Sequence, residues 1–582
     1  MLNEMGMSMK TIQSKTVPKH LRKYTAEQHY EHYSAINHAV WRYVMRQNHN
    51  LLKNIAHEAY TDGLKASSIS IDQIPNVGEM NESLAPFGWG AATIDGFIPG
   101  VSFFEFQAQG ILPVVNEIRK LDNILYTPAP DIIHEAAGHA PILADPEYSF
   151  FVKRFGEIGM KALATKEEHD HFEAVRAYSN LLEKGDATEE EIEVAKQKVD
   201  ECEAKITELS EAQIVGRFYW WTVEFGLIGE LNNPKIYGAG LLSSVGEGAN
   251  ALSDEVEKIP FDMEEVINTG FDITKPQPHL FVCKDFKQLL DAAEQFATTM
   301  SFMKGGTESL EKAVRSANTA TAEYSSGLQV TGVISELLKD EQGEAIYLKT
   351  NGNTALAVNN QQISGHGTDT HADGFGAPIG NLIGVSQPLE DLNEEELKSV
   401  GVSINKHTDL NFENGIQVSG QITNIVRENG KVILLSFENC SVTYGETLLF
   451  SPEWGTFDMA VGSEIVSVFA GAADGENYYT VDDEQKTPIP EQTQIELNEL
   501  YSRVRNIRDN ESGNLASDLN TIYEQLKENH KKDWLLRLEM FELLSEHDEE
   551  TTLKKKLLEE LNELKKENKE YETLIERGLS II

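Results

Sequence analysis

The segment Pro128-Ala-Pro-Asp131-Ile-Ile-His134-Glu135-Ala-Ala-Gly-His139 decides how this chain is interpreted, because it sets two histidines five residues apart. Five residues of a regular α-helix turn through about 140°, so the two rings would not share one face. Helical zinc ligands instead stand four residues apart, which keeps both on one side. We therefore expect the first histidine near a helix start, favoured by the two prolines, and the second a turn later.

A carboxylate that would complete a metal site stands downstream, in Tyr219-Trp-Trp-Thr-Val-Glu224-Phe-Gly. Two imidazoles and one carboxylate on one side of an ion form the facial triad of non-haem Fe(II) oxygenases, which leaves other coordination positions open. The small residues between the histidines, ending in Gly138, would leave room for an approaching ion or ligand. Taken alone, two histidines at this spacing are more often unrelated, so the surrounding sequence has to decide.

Three segments in this order, Tyr126–Pro141, Trp220–Leu227 and Tyr237–Glu247, closely resemble the pterin-dependent aromatic amino acid hydroxylases. This is the family of phenylalanine 4-monooxygenase, and the likeness is to its bacterial type. It covers roughly residues 20–310. The resemblance implies a mainly α-helical catalytic domain and a monooxygenase that converts L-phenylalanine to L-tyrosine in phenylalanine catabolism.

The resemblance also implies roles for particular residues. The Fe(II) ligands would be His134, His139 and Glu224, and the catalytic residues Glu135 and Glu224. The residues expected to bind the substrate are Arg119, Thr127, Pro130, Asp131, Trp220 and Ser243. Tetrahydrobiopterin or a related tetrahydropterin, the expected two-electron donor, would contact Phe103 and Glu135.

Arg119 stands where the family places the arginine that pairs with the amino acid's carboxylate, and Asp131 matches the acid that orients it. A guanidinium makes two parallel hydrogen bonds to a carboxylate, which a lysine cannot. Trp220 and Pro130 match the apolar walls around the substrate ring. The segment around Phe103 departs from the pattern, since it lacks the basic residue common before this phenylalanine in animal members.

The composition limits the partners. A chain of 582 residues is expected to divide into more than one domain, because single cores rarely grow beyond 250–300 residues. The formal net charge of -44 argues against nucleic acid, which needs clustered Lys and Arg, and against anionic membrane surfaces. The partners expected are therefore small molecules: the aromatic amino acid, O2 and the pterin.

Targeting and redox signals favour a cytoplasmic protein. The N-terminal residues are polar and lack the apolar core of a signal peptide, and no run of about 18 apolar residues is present. Cys202, Cys283 and Cys440 are scattered, without a disulfide framework or a CxxC metal motif. This usage suits a reducing compartment.

We expect several domains, the first being the catalytic domain over residues 1–315. A charged helical hairpin is inserted into it at 162–212, where Thr188-Glu-Glu-Glu191 forms a capping box. The apolar residues after the box are spaced by three and four, as in a heptad seam: Ile192, Ala195, Val199, Cys202, Ile206 and Leu209. Packing of the hairpin on itself is favoured over a dimer seam.

Residues 326–485 are expected to form a small duplicated β domain. Gly327-Leu-Gln-Val-Thr-Gly332-Val-Ile is matched by Gly415-Ile-Gln-Val-Ser-Gly420-Gln-Ile, and each is followed by a turn signal and a second strand. The intervening Ser364-Gly-His366-Gly-Thr-Asp-Thr-His371 has no acidic or thiolate partner nearby in sequence. A glycine-rich loop is therefore favoured there over a second metal site.

Residues 488–582 are expected to form a helical C-terminal domain, whose leucine stripes must be buried on one another or on a partner. Homo-oligomerisation or a protein partner through the C-terminal half is left open.

Other interpretations were weighed against phenylalanine hydroxylation. One is a hydroxylase of tryptophan or tyrosine. Trp220 favours phenylalanine or tyrosine as the substrate, whereas Ile273 weakly favours tryptophan. A second is a metal-dependent hydrolase with Glu135 as base, which the five-residue histidine spacing disfavours. A third is a scaffold with a vestigial catalytic half, which the intact ligand and substrate residues disfavour.

Overall fold

The computed structural model describes residues 14–94, 96, 98–121, 124, 130–184, 188–272, 275–480, 494–510, 514–547, 551–567 and 569–582. In this part of the chain, helices dominate up to residue 316, strands from 319 to 470, and helices again from 495.

The first part opens with helices around two short parallel strands. In chain order its elements are α1 (Ala35–Ile55), α2 (Ala59–Ala66), α3 (Val77–Leu84), β1 (Gly90–Ile94), α4 (Gly100–Ala108), β2 (Ile111–Val115), α5 (Pro146–Gly159), α6 (Lys166–Lys184), α7 (Glu189–Glu203) and α8 (Glu211–Tyr219). Two further segments, Ile133–His139 and Trp220–Glu224, are π-helical.

A small sheet and short helices complete this part. The elements are β3 (Leu227–Glu230), β4 (Asn233–Ile236), α9 (Ala239–Ser243), α10 (Val245–Asn250), β5 (Glu257–Pro260), α11 (Met263–Asn268), β6 (His279–Cys283), α12 (Phe286–Ala297), α13 (Ser301–Lys304) and α14 (Gly306–Ser316). The sheet has the strand order β4-β3-β6-β5.

Helix α1 shows why the sequence folds this way locally. Ser34 accepts a hydrogen bond from the backbone N–H of Asn37, whose side chain accepts one in return from the backbone of Ser34, so a capping box starts the helix. Val40, Trp41 and Val44 are fully buried at helical spacing. These residues hold the helix in the core of the first part.

The charged hairpin of α6 and α7 is present. Thr188 and Glu191 form the capping box that the sequence predicted, with Glu191 accepting from the Thr188 N–H at 2.8 Å. Cys202 is buried, whereas Leu209 is 41% exposed, so the apolar seam ends with α7. Residues 185–187, where the sequence places the break between the helices, lie outside the described residues.

The strands after α14 form two sheets. The first sheet contains β7 (Thr319–Tyr324), β8 (Leu328–Lys339), β9 (Ala345–Val358), β10 (Gln361–Gln362), β11 (Gly376–Pro378) and, from later in the chain, Ile465–Ala470. After α15 (Glu394–Ser399), the second sheet contains β12 (His407–Asn411), β13 (Ile416–Glu428), β14 (Lys431–Tyr444), β15 (Thr447–Phe450) and β16 (Phe457–Ala460). The returning strand is β17, and the short helix α16 (Gly475–Tyr478) follows it.

The two repeated segments form hairpins of the same kind in different sheets. Strand β8 pairs with β9 in the first sheet, and β13 with β14 in the second. Both hairpins have register shifts at matching points of the repeat: Thr331/Val333, Ile334/Glu336 and Leu338/Lys339 against Ser419/Gln421, Ile422/Asn424 and Val426/Arg427. The first shift in each hairpin spans a glycine, Gly332 or Gly420. These shared irregularities support the duplication, which stays a prediction.

The C-terminal helices are α17 (Ile495–Asn510), α18 (Leu515–Asn529), α19 (Leu535–Glu546), α20 (Thr552–Glu567) and α21 (Lys569–Ser580). They bury their stripes on one another, as the sequence required, but they also share one hydrophobic core with α1. The ring of Tyr43 packs edge-on against Trp534 at 5.2 Å, and its hydroxyl donates to the Leu574 carbonyl oxygen at 2.6 Å. The expected separate helical core is therefore continuous with the core of the first part.

Two further findings concern the predicted environment. No helix among the described residues is both long and apolar enough to cross a membrane. All three cysteines are buried and have free thiols.

Candidate active site

A π-helix brings the two histidines together. Residues Ile133–His139 are π-helical, and this geometry closes hydrogen bonds between residues five apart, so such residues stand on one side. The Nε2 atoms of His134 and His139 are accordingly 3.2 Å apart. The sequence predicts an ordinary helix start with the second histidine a turn later. That explanation is wrong, although the two rings do converge.

Gly138 has a different purpose from the one expected. A Cβ at this position would stand 2.6 Å from the carbonyl oxygen of Ala239 in α9. Glycine is therefore needed because the π-helix lies directly against α9, rather than to admit an ion or ligand. This contact also brings Ser243, the last residue of α9, to the histidines.

Glu224 completes the cluster from the end of the second π-helix, Trp220–Glu224. Its Oε2 lies 3.2 Å from Nε2 of His134, and its Oε1 lies 3.2 Å from Nε2 of His139. Two ligands at right angles, each about 2.1 Å from one ion, stand about 3 Å apart. The three side chains therefore have the spacing of adjacent ligands on one face of a divalent metal ion.

The charges in this cluster depend on one another. Burial alone would lower the pKa of His134, but the Glu224 carboxylate beside it raises that pKa to about 9. Burial would raise the pKa of Glu224, but His139 and His134 hold it well below its usual range. Glu224 is thus an ionised carboxylate that needs a positive charge next to it, which a metal cation would supply between neutral imidazoles.

Ser243 contacts the far side of the His134 ring. Its Oγ is 3.1 Å from Nδ1 of His134 and donates a hydrogen bond to the carbonyl oxygen of Ala239 at 2.8 Å. Because that proton is used, Oγ accepts from the N–H at Nδ1, so Nε2 of His134 is the nitrogen that gives up its proton when a metal binds. The family resemblance implied that Ser243 contacts the substrate, and its contact with His134 is visible only in the fold.

Arg119 and Asp131 form a buried pair. Nε and Nη2 of Arg119 donate to Oδ2 and Oδ1 of Asp131, each at 2.8 Å, and both residues are less than a tenth exposed. Burial would raise the pKa of Asp131, but the guanidinium holds it below its usual range. Asp131 also accepts from the backbone N–H of His134 at 3.1 Å, so one carboxylate orients both the arginine and the ligand segment.

Glu135 points a carboxyl group into the cluster from the other side. It is 5% exposed, and its Oε2 is 3.8 Å from Nε2 of His139. Burial raises the pKa of this carboxyl group. Among the described residues Oε2 has no hydrogen-bond partner, which is costly for a buried polar atom and marks a place where a ligand would donate one.

An aromatic row connects Phe103 with the histidines. The ring of Phe103, on α4, meets the ring of Tyr219 edge-on at 5.6 Å, and Tyr219 stacks beside His139 at 6.5 Å. The Tyr219 hydroxyl accepts a hydrogen bond from Nε2 of Gln107 at 2.6 Å, which fixes its ring. Sequence reasoning missed Tyr219 and Gln107, although Tyr219 immediately precedes the Trp-Trp motif.

Trp220 forms part of an apolar wall. Its ring stacks on Phe271 at 4.3 Å with planes 9° apart and on Phe225 at 4.6 Å. Pro130 is exposed at the start of the ligand segment. Thr127 and Ile273 lie outside the described residues.

These side chains have the arrangement of a mononuclear metal site of the two-histidine, one-carboxylate class, beside a buried guanidinium. Comparisons with known proteins agree with this class. The sequence model of the family described as biopterin-dependent aromatic amino acid hydroxylase matches residues 15–190 and 202–304. The unmatched residues 191–201 lie within α7, in the hairpin that the sequence marked as an insertion.

Individual relatives match the same part of the chain. Phenylalanine-4-hydroxylase of Chromobacterium violaceum is 30% identical over 277 residues, which is 47% of this chain and 78% of that protein. Tyrosine 3-monooxygenase of Drosophila melanogaster is 28% identical over 274 residues, or 46% of this chain and 40% of that protein. A crystal structure of the Chromobacterium violaceum enzyme with bound oxidised Fe(III) covers 48% of this chain and 87% of its own, at 27% identity and a TM-score of 0.38.

The chain belongs to the biopterin-dependent aromatic amino acid hydroxylases. It is an oxidoreductase of the monooxygenase type with a pterin cofactor, and its matched residues carry the catalytic fold of that family. The resemblance drawn from the three sequence segments is confirmed.

Proposed function

We propose that this protein is an Fe(II)- and tetrahydropterin-dependent monooxygenase that hydroxylates the ring of L-phenylalanine to give L-tyrosine. The observation that carries the proposal is the convergence of His134, His139 and Glu224 at 3.2 Å separations. Two neutral nitrogen ligands and one carboxylate suit Fe(II) and leave the remaining coordination positions open. Iron bound there would activate O2 with electrons from the tetrahydropterin, so that one oxygen atom enters the aromatic ring.

The protein's own contribution begins with holding the amino acid. We propose that Arg119, oriented by Asp131, binds the substrate carboxylate with the donors that Asp131 leaves free. A buried guanidinium offers a strong, directional site for a carboxylate in a chain whose overall charge repels anions. Ser243 and Thr127 would complete this part of the substrate site, and Pro130 would line the ring pocket with Trp220.

The aromatic ring needs an apolar surface close to the metal. Trp220 is four residues before Glu224 on the same π-helical turn and is held by stacking on two phenylalanines. We propose that it forms one wall of the ring pocket and excludes water there. A rigid wall fixes which ring carbon faces the metal, and this positioning is the protein's main contribution to the rate.

The pterin would lie on the Glu135 side of the metal. Its N–H groups would satisfy the buried Oε2 of Glu135, which no described residue does, and Phe103 would stack on its ring. Because Phe103 is held edge-on by Tyr219, the stacking face would be fixed relative to His139.

The deciding experiment incubates the full chain with Fe(II), O2, a tetrahydropterin and either phenylalanine, tyrosine or tryptophan, followed by identification of the product. Tyrosine formed from phenylalanine, faster than any product from the other two, is the expected result. Preferential hydroxylation of tyrosine or tryptophan would move the proposal to those substrates, and hydroxylation of none would support the scaffold interpretation.

Variants test the ligand set. His134→Ala, His139→Ala and Glu224→Gln are each expected to lose iron and turnover, because each removes one of three ligands. The matched control is Glu230→Gln, which makes the same change at an exposed position on β3. Stoichiometric iron together with normal turnover in any of the three ligand variants would contradict the assignment.

We also propose a division of labour along the chain, with residues 1–315 carrying the chemistry. The β-rich residues 326–485 and the helical residues 488–582 would act in stability, assembly or partner binding. All proposed ligand and substrate residues precede Ser244, which supports this division. Oligomerisation or a protein partner through the second half belongs to the same proposal, and the mass of the full chain in solution tests it.

A further inference from the structure

A second cluster of metal-ligating side chains, which shares no residue with the first, lies between the two sheets of the second half. Nδ1 of His366 and Nε2 of His371 are 3.2 Å apart. One oxygen of Asp458, Oδ2, lies 3.8 Å from Nδ1 of His366 and 4.0 Å from Nε2 of His371. The sequence favoured a plain glycine-rich loop because it showed no acidic partner, and the fold supplies that partner.

The backbone holds both histidines in place. The loop leaves β10 and turns at Gly365, whose φ is +83°, and the Thr370 hydroxyl donates to the Gly365 carbonyl oxygen at 2.8 Å. The carbonyl oxygens of His366 and His371 accept hydrogen bonds from backbone N–H groups of β9, at 2.9 and 3.0 Å. The loop is thus attached at both histidines to the first sheet.

Asp458 comes from β16 in the second sheet, next to β14. The hydroxyl of Ser436, its cross-strand neighbour, donates to Oδ1 at 2.5 Å. Since Oδ1 is occupied in this way, Oδ2 is the oxygen directed at the imidazoles. An outer hydrogen bond that fixes a carboxylate is the usual companion of a metal ligand.

The distances distinguish a metal site from an ordinary histidine–aspartate ion pair. A hydrogen bond between an imidazole and a carboxylate would bring the atoms to about 2.7–3.2 Å, and both separations from Asp458 are longer. The point equidistant from the three atoms lies about 2.1 Å from each, which is the length of a zinc–nitrogen or zinc–oxygen bond. The three side chains are only 8–13% exposed, so an uncompensated carboxylate would be costly there.

We propose that His366, His371 and Asp458 bind a divalent transition-metal ion, zinc by preference, that joins the two sheets. Two imidazoles and one carboxylate leave coordination positions open for water, as in zinc sites with three protein ligands. The ion is distinct from the metal of the hydroxylase site, because the two ligand sets share no residue. Its binding would tie the histidine loop of the first sheet to β16 of the second.

The test uses the full chain, depleted of metal with a chelator and given Zn²⁺ alone. Zinc per chain is measured after desalting for the parent protein, His366→Gln, His371→Gln and Asp458→Asn. Each of the three variants is expected to bind one zinc ion per chain fewer than the parent protein. His407→Gln is the matched control, since His407 is an exposed histidine on the second sheet. Glu224→Gln is expected to lose a different equivalent of zinc, the one bound at the hydroxylase site. The double variant Glu224→Gln/Asp458→Asn is expected to lose both equivalents.

Folding is checked independently, because the variants alter a buried cluster. Circular dichroism of the metal-free proteins is expected to be the same for parent and variants, while Zn²⁺ raises the melting temperature of the Glu224→Gln protein but not of its combination with Asp458→Asn. Cobalt(II) in the Glu224→Gln background provides a second readout, through visible absorption bands that Asp458→Asn removes. Folded variants that retain the parent's zinc content would overturn the proposal, as would a control that loses zinc equally.

Discussion

The hydroxyl oxygen of Ser243 lies 3.1 Å from Nδ1 of His134, while Nε2 of the same ring faces His139 and Glu224. The serine also donates to the Ala239 carbonyl oxygen, so it accepts from the imidazole and fixes which nitrogen is free for the metal. The last residue of α9 therefore controls the chemistry of a ligand that is far from it in sequence.

Ser243→Ala is accordingly expected to weaken metal binding roughly 10- to 100-fold, the usual effect of losing such an outer hydrogen bond. The measurement is iron affinity by competition with a chelator, beside Ser253→Ala as the control on a nearby loop. If Ser243 only contacts the substrate, iron affinity will stay at the parent value and the KM for phenylalanine alone will rise.

Arg119→Lys is expected to raise the KM for phenylalanine roughly tenfold or more with iron content intact, because a lysine cannot make the paired hydrogen bonds and each bond to a charged group contributes about 1.5–3 kcal/mol. Arg154→Lys is the matched control, since Arg154 also makes a two-point contact, with Glu294 on the surface. A KM equal to that of the control would remove Arg119 from the substrate site.

The three proposed metal ligands could be named from the sequence, but their geometry could not be predicted. The histidine spacing and the Trp-Trp-Thr-Val-Glu224 segment named the three residues. The π-helix, however, depends on packing of Gly138 against Ala239, a contact between segments far apart in sequence. Asp458 was missed for the same reason, because a strand from another sheet brings it to His366 and His371.

Helix boundaries and the β-hairpins followed from local signals such as the Thr188–Glu191 capping box and the repeated Gly-x-Gln-Val segments. The attachment of the C-terminal helices to α1 could not be predicted from such local signals. Amphipathic stripes show that a face must be buried, but they do not say against what, so Arg42 and Tyr43 gave no indication of their partners in α19 and α21.

Glu542→Gln tests this attachment. Arg42 donates to both oxygens of Glu542, at 2.7 and 2.6 Å, and both side chains are 6% exposed. The pair belongs to a larger charge cluster, because Arg42 also contacts Asp72 at 3.1 Å and Glu542 also contacts Arg46. Asp72 therefore still compensates part of the Arg42 charge when Glu542 is neutralised, and we expect a loss of about 1–3 kcal/mol in the free energy of unfolding. Chemical denaturation measures it beside Glu546→Gln, whose side chain is 47% exposed. Equal stability of the two variants would show that the pair contributes little.

A fragment ending at residue 315 is a further test. The sequence predicts that it folds and hydroxylates alone, since all proposed ligands precede Ser244. The structure adds a cost, because the fragment exposes the face of α1 that contacts Trp534 and Leu574. We expect the fragment to retain its iron ligands but to be poorly soluble. Iron content measures the first property and sedimentation the second. A soluble, monomeric fragment with the parent's turnover would show that the C-terminal helices are dispensable for stability.

Stability should also depend on pH through Glu247. Burial raises the pKa of this carboxyl group from 4.5 to about 7. Between these two values the folded protein holds a proton that the unfolded chain has released, so the free energy of unfolding falls as the pH rises, and the loss is complete above pH 7.

Glu247→Gln removes this ionisation. The melting temperature of the variant, relative to the parent, is therefore expected to rise between pH 5 and pH 8, as measured by thermal unfolding across that range. Glu264→Gln, an exposed position on α11, is the control and is expected to show no such rise. A difference between Glu247→Gln and parent that stays constant with pH would mean that Glu247 ionises alike in the folded and unfolded chains.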